Sequence, residues 1–292
     1  MTLGRPLYRF DRVSSTMDIL ADLAASGAPE GTTVLAGFQE TGRGRADRRW
    51  VVPPDRAVLA SVLLCPGVPL PRLMPLSLLV ADAIRESVTS LYGLDPQIKW
   101  PNDLLIGGRK LSGVLIQTRH MSRSHRLPSL KAAVIPSAVE GSLIQTDGQP
   151  GQSKNPVVMV GMGINANVSP DDLPPMGTSI LAETGREVNR DELLRTVLDA
   201  LYERYRELVE DRLENRWQRL RRHLAMLDEE VVVEDAGRRI TGILSGVDRD
   251  GTLILRDGSG ERRIAAGDLS RGPRPVSRGG IQAEPGKPGI LP

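Results

Sequence analysis

The chain holds one cysteine, Cys65, in 292 residues. No internal disulfide and no cysteine-based zinc site can form, which fits a reducing compartment. Aromatics are scarce too: three Trp, four Tyr and two Phe, too few for the stacking platforms that hold single-stranded nucleic acid. Neither sign of charge dominates. Thirty-eight Lys and Arg face thirty-six Asp and Glu, a net charge of +2, which argues against a general nucleic-acid or membrane-surface binder. The longest apolar runs, Ala57–Cys65 and Leu73–Ile84, are short or interrupted by Pro75 and Asp82, so neither spans a bilayer. Met1–Phe10 has no apolar core of signal-peptide length. A soluble, cytoplasmic protein is expected, with no membrane partner. Lysine is the last scarce residue, five against thirty-three arginines, and each one is worth inspecting.

What is present concentrates in two stretches. Gln39–Trp50 is a loop in which Gly42 and Gly44 alternate with Arg43 and Arg45, and Lys99-Trp-Pro-Asn-Asp103 ends in an amide and a carboxylate. Glycines let backbone N–H groups approach an oxyanion, and arginines offer forked donors to phosphate and carboxylate. Alone, a short Gly/Arg run also suits a flexible turn or an RNA contact. Its setting, fed by a strand and closed by Trp50, favours a site that holds a nucleotide phosphate beside a carboxylic acid.

Along the chain, Ser14-Ser15-Thr16 precedes a helix at Met17–Ala25 and supplies its cap. Thr32–Phe38 and Ala57–Leu64 read as strands, the second apolar nearly throughout and therefore central. Leu70–Leu91 reads as one helix, entered through Pro69 and Pro71 and ended by Gly93. Gln97–Trp100 is a short strand cut by Pro101. Gly107-Gly108 between apolar runs marks a tight hairpin, and plain alternation then puts Lys110, Ser112, Val114 and Ile116 on one face. Thr118–Pro156 loses periodicity and reads as a disordered insertion; His120 and His125 within it lack partners at metal-ligand spacing. Val157–Ile164 is a strand. Arg190–Leu224 is one or two amphipathic helices whose charges read as solvated faces. From Asp228 short β-rich runs, Val231–Glu234, Ile240–Val247, Thr252–Arg256 and Arg263–Ala265, alternate with tight turns. They predict a small SH3-like barrel, followed by a Pro/Gly tail expected to be disordered. The fold class is α+β: a mixed-sheet domain over 1–227, interrupted at 118–156, a barrel over 228–272 and a tail at 273–292.

These motifs together resemble the biotin protein ligases. Gly42-Arg-Gly-Arg45 with Arg48 and Trp50 matches the family's Gly-Arg-Gly-Arg-x-x-Arg-x-Trp pattern, departing only at Glu40 and Asp47, where an uncharged residue and glycine are common. Trp100, Asn102 and Asp103 match a second motif. Gly108-Arg-Lys-Leu-Ser-Gly-Val-Leu115 matches a third and Gly161-Met-Gly-Ile-Asn165 a fourth. Thr178-Ser-Ile180 before Glu183 resembles a further segment, and Gly242–Leu255 the family's small barrel. The resemblance spans roughly residues 8–271 apart from the insertion. The catalytic motifs begin near Ser14, so it implies a form without the family's N-terminal DNA-binding domain, and no DNA partner.

The resemblance implies a mixed-sheet catalytic domain of the biotin/lipoate-ligase type and a two-step reaction. Biotin and ATP give biotinyl-5′-AMP, and biotin then passes to a lysine of a biotin carboxyl carrier protein or domain, of acetyl-CoA carboxylase or a related carboxylase. The implied catalytic residues are Lys110, Arg43 and Arg45. Biotin would meet Ser15, Thr16, Gln39, Gly42, Gly44, Arg45, Trp50, Lys110 and Gly113. ATP would meet Arg43, Arg48, Trp50, Asn102, Lys110 and Asn165. Mg²⁺ shields the triphosphate, with Asp103 its candidate helper, directly or through water. A homodimer is compatible with this reading and not required by it. Two alternatives stay open: a lipoate or octanoate ligase of the same fold, and a nucleic-acid-binding protein that uses the Gly/Arg loop.

Overall fold

In the computed structural model the described residues are 2–46, 48–119, 156–235 and 237–272. The expected disorder of the insertion and the tail, the two histidines at 120 and 125, and Asp47 lie outside them.

Seven strands form the first sheet: β1 (Leu7–Val13), β2 (Thr33–Gln39), β3 (Ala57–Leu64), β4 (Gln97–Lys99), β5 (Asp103–Ile106), β6 (Arg109–Arg119) and β7 (Val157–Asn165). Their order is β1-β2-β3-β7-β6-β5-β4. β1 runs parallel to β2 and every other neighbour is antiparallel. β3 is buried along its whole length because both sheet faces are covered. Val58, Ala60, Val62 and Leu64 enter the main core, which contains most of the buried face of α2 (Leu76–Tyr92), Ile180 of the short α3 (Ile180–Thr184) and most of the buried face of α4 (Arg190–Val209). Leu63, on the opposite face, meets Met17, Leu20, Ala21 and Ala24 of α1 (Thr16–Ala25).

Several expectations are corrected. β1 was missed, because Arg9, Asp11 and Arg12 interrupt its apolar residues and only its C-terminal residue, Val13, is fully buried. The helix expected over Leu70–Leu91 is two pieces, a 3₁₀ turn at Leu70–Leu73 and α2 from Leu76. Pro75 lacks the N–H that a continuous helix needs and takes the N-cap. Gly93, with φ +68°, ends α2 as expected. The helical region after Arg190 is two helices, α4 and α5 (Glu214–Arg221), and its charges are not all solvated. Arg204 is fully buried and Arg216 nearly so. They meet Asp82, Glu86 and Glu207 between α2 and the two later helices.

The Gly107-Gly108 hairpin is present, both residues at positive φ. β6 extends through Thr118 and Arg119, two residues into the stretch read as structureless, and Arg119 faces Val157 across the ladder. The register against β5 slips between Leu104, opposite Ser112, and Leu105, opposite Lys110, so Leu111 is an extra residue. A bulge of this kind breaks alternation. A Cβ placed on Gly113 would lie 3.3 Å from Lys110 Cε, so Lys110 shares a side with Gly113 and not with Ser112.

The C-terminal sheet has five antiparallel strands, β8 (Glu230–Asp235), β9 (Arg238–Val247), β10 (Leu253–Asp257), β11 (Gly260–Ile264) and β12 (Asp268–Arg271), in the order β11-β10-β9-β8-β12. Among the described residues no ladder joins β11 to β12, so the sheet is not closed into a barrel. β12 was missed because it is only four residues long with one buried side chain, Leu269. Val231, Val233, Leu244, Leu253 and Leu255 continue the core of the first sheet. No helix among the described residues is long and apolar enough to cross a membrane.

Candidate active site

The sheet is hollow where four small residues meet. Gly113 lies opposite Gly163, and Gly161 opposite Ser61, on the face that carries α1. Above them is a cavity of about 420 Å³. The indole of Trp50 lies against the glycines. A Cβ on Gly163 would come within 2.6 Å of Trp50 Cε2, and one on Gly113 within 3.1 Å of Cζ3. No residue larger than glycine fits at 163 unless the indole moves. The apolar lining adds Met17, Val52, Leu115 and Met162; Leu115 and Met162 lie inside matched motifs, but the resemblance assigned none of the four to a ligand.

One end of the cavity is polar. Ser15 caps α1, its hydroxyl accepting from Met17 N. Gln39 Oε1 accepts from Thr16 N at 2.8 Å and from Thr16 Oγ1 at 3.0 Å, and Ser61 Oγ lies 2.7 Å from Thr16 Oγ1. The strand end, the cap and a central-strand serine thus form one hydrogen-bonded corner.

The Gly–Arg loop covers the cavity. It is closed by Trp50 N donating to Gly42 O at 2.9 Å and Gly44 N to Arg48 O at 2.6 Å. A Cβ on Gly42 would stand 2.3 Å from Trp50 O, so the closure requires glycine there. Gly42 itself lies on the outer side of the loop, in a second hollow with Ile116 and Gln117. Of the residues assigned to biotin, ATP or catalysis by resemblance, it is the one that does not line the main cavity. Arg43 pairs with Asp18 of α1. Arg45 donates to Asn102 Oδ1 at 3.2 Å, and Asn102 is fixed in turn by Nδ2 donating to Val114 O at 2.8 Å.

Among the described residues Lys110 is the cavity's only lysine. Its backbone is held from a third direction: Lys110 N donates to Met176 O and Thr178 N to Lys110 O. Its Nζ lies 2.8 Å from Asp103 Oδ1 and 5.5 Å from the centroid of Trp50. The ion pair is close in distance but not aligned as a hydrogen bond, and Asp103 Oδ1 has no hydrogen-bond partner among the described residues. Trp50 Nε1 and Asn165 Oδ1 are also buried without a hydrogen-bond partner among the described residues, although Asn165 Nδ2 donates to Thr178 O at 2.9 Å. Three buried polar atoms around one cavity are a cost to the fold that a ligand would relieve. Among the described residues Asp103 is the only carboxylate lining the cavity. Among the described residues no group of three carboxylate, histidine or cysteine side chains converges as a metal cage.

Trp100 has a different place. It is almost fully buried in the core and its Nε1 donates 2.9 Å to Gly251 O in the turn between β9 and β10. This motif tryptophan joins the two sheets and does not line the cavity.

Residues 9–128 match the Biotin/lipoate A/B protein ligase family, and residues 226–272 match the Biotin protein ligase C terminal domain. The chain is 28% identical over 277 residues to the bifunctional ligase/repressor BirA of Bacillus subtilis, covering 92% of this chain and 75% of that one. It is 26% identical over 283 residues to the biotin–[acetyl-CoA-carboxylase] ligase of Mycobacterium tuberculosis, covering 91% and 90%. A solved structure of the biotin protein ligase from Aquifex aeolicus, in complex with biotin and ATP, superposes with a TM-score of 0.70 at 24% identity, covering 91% of this chain and 99% of that one.

Proposed function

The chain belongs to the biotin/lipoate A/B protein ligase family as a biotin protein ligase, and from that premise we propose how its cavity works. It joins biotin to AMP at the expense of ATP and transfers the biotinyl group to a lysine. The observation that carries the assignment of roles is the convergence, on a single largely apolar cavity, of one lysine, four arginines and three buried polar atoms that have no hydrogen-bond partner among the described residues.

The apolar lining with Trp50 accepts the bicyclic ring and valeryl chain of biotin. The corner formed by Ser15, Thr16 and Gln39 hydrogen-bonds its ureido group. The biotin carboxylate then lies toward Lys110, and the ATP α-phosphate on the other side of the same ammonium. A carboxylate oxygen attacks the α-phosphorus and pyrophosphate departs with the bridging oxygen. The step brings two anions together, so its barrier falls mainly through positioning and fixed positive charge. Lys110 supplies that charge, held in place by the bulge at Leu111 and by the 176–178 segment. Arg48 serves the pyrophosphate end, and Asn102 and Asn165 meet the nucleotide. Mg²⁺ arriving with the triphosphate would lower its charge, and Asp103, whose Oδ1 pairs with Lys110 and makes no hydrogen bond among the described residues, would be the carboxylate beside it.

The product is a mixed anhydride that water attacks readily. Arg43, Arg45 and the loop amides close over it and exclude solvent. The amine of a carrier lysine then attacks the biotinyl carbonyl, an amide forms with loss of one proton, and AMP leaves. The partner that follows is the biotin carboxyl carrier domain of acetyl-CoA carboxylase or a related carboxylase. The test is biotin-dependent exchange of pyrophosphate into ATP. Exchange supported by lipoate and not by biotin would overturn the substrate assignment.

A further inference from the structure

The Gly–Arg loop is tied to the second sheet by contacts that none of the steps above uses. Arg48 Nη2 donates to both carboxylate oxygens of Asp268, at 2.9 and 3.0 Å. Arg45 Nη2 donates to Gly267 O at 3.4 Å, and Arg45 Nη1 stands 3.9 Å from Asp268 Oδ1. Asp268 opens β12, where it pairs with Glu234 of β8, and the next residue, Leu269, is in the core. The sheet that carries the carboxylate is itself fixed to the first sheet through Trp100 and Gly251. Arg43, on the other arm of the loop, is held by Asp18. The closed loop is therefore held at two points by two carboxylates, one from α1 and one from a strand 220 residues further along the chain.

We propose that Asp268 is a positioning residue for the Gly–Arg loop. It latches Arg48, keeps the loop closed over the cavity and so sets how long the activated intermediate is retained. This rests on the reaction proposed above. The contact exists only while β12 is docked, which makes the second sheet part of the lid. Both side chains are about half exposed, 58% for Arg48 and 51% for Asp268. An ion pair so open to water shifts an equilibrium by about fivefold at most. The latch is weak enough to open in every turnover, and it weakens further as salt rises.

The test uses the full chain with Asp268→Ala, Asp268→Asn and Asp268→Glu. Two quantities are measured: amide hydrogen exchange of residues 41–49 without ligands, and the release rate of biotinyl-5′-AMP. The Ala and Asn variants should exchange faster in the loop and release the intermediate roughly three to five times faster. Asp268→Glu should restore both. The rate of pyrophosphate exchange should stay within about twofold of the parent, and high salt should bring parent and Ala variant together. Asn keeps the shape of Asp, so β12 should stay docked, which the melting temperature checks. Unchanged loop exchange and release in the Ala and Asn variants would overturn the latch. If the parent itself makes no adenylate, the reaction assignment fails, and loop exchange alone still decides whether Asp268 holds the loop.

Discussion

Two regions of this protein bury polar groups, and they treat them in opposite ways. Between α2, α4 and α5 every buried charge has a partner. Asp82 accepts from Arg85 Nε at 3.1 Å and from Arg204 Nε at 2.7 Å, Arg204 reaches Glu86 at 2.7 Å, and Arg216 meets Glu207 through two bonds of 2.9 Å. Around the cavity, Trp50 Nε1, Asp103 Oδ1 and Asn165 Oδ1 make no hydrogen bond among the described residues, although Asp103 pairs with Lys110. A satisfied network fixes helices against one another and leaves nothing to offer a ligand. An unsatisfied one costs stability and supplies binding and orientation when the right groups arrive.

The sharpest test removes a partner from the satisfied region. Asp82→Ala leaves Arg204 buried without its main counter-charge and should cost about 3–5 kcal/mol. Urea unfolding would show this, with pyrophosphate exchange per folded molecule unchanged. A loss below about 1 kcal/mol would mean that the network is no more structural than the cavity.

The reverse should hold at Lys110. Lys110→Ala should lower adenylation by on the order of 10²–10³-fold while the urea midpoint barely moves, because the side chain is partly exposed beside a hairpin. Near-normal exchange would reduce Lys110 to an edge charge.

Gly163→Ala is intermediate, since it touches both quantities. The added methyl must displace the Trp50 indole at a cost of about 1–3 kcal/mol. The KM for biotin should rise with little change in kcat, because the indole shapes the binding surface and does not touch the reacting phosphorus. A change confined to kcat would show that Trp50 positions the chemistry instead.

The smallest effect is expected from the long connection between β6 and β7. Arg119 and Val157 face each other across the ladder, so replacing 120–156 with Asn-Gly would close a two-residue hairpin. Surface loops tolerate such changes because closure entropy varies slowly with length. Both regions should be indifferent to it, and loss of adenylation in the shortened chain would show that the segment serves the cavity.

Much of the cavity was legible beforehand. The Gly–Arg loop, its closing Trp50 and the hairpin that carries Lys110 each depend on residues within a few positions of one another, and glycine or proline fixes their geometry. β1 and β12 were not legible, one broken by charges and one four residues long. Nor was the side of β6 that Lys110 faces, because a single extra residue at Leu111 reverses the alternation on which such a reading rests.

The sequence alone therefore determined the local chemistry: which loop gathers glycines and arginines, which lysine stands near it, where the chain turns, and which family's motifs it carries in order. Only the tertiary structure decided that Arg204 is buried while the charged Glu203 and Arg206 beside it are exposed, that Trp100 joins two sheets, and that Asp268 pairs with Arg48. Those outcomes depend on pairings between segments more than a hundred residues apart. Helical and strand periodicity report only which face of an element is apolar, not what the rest of the chain brings against it.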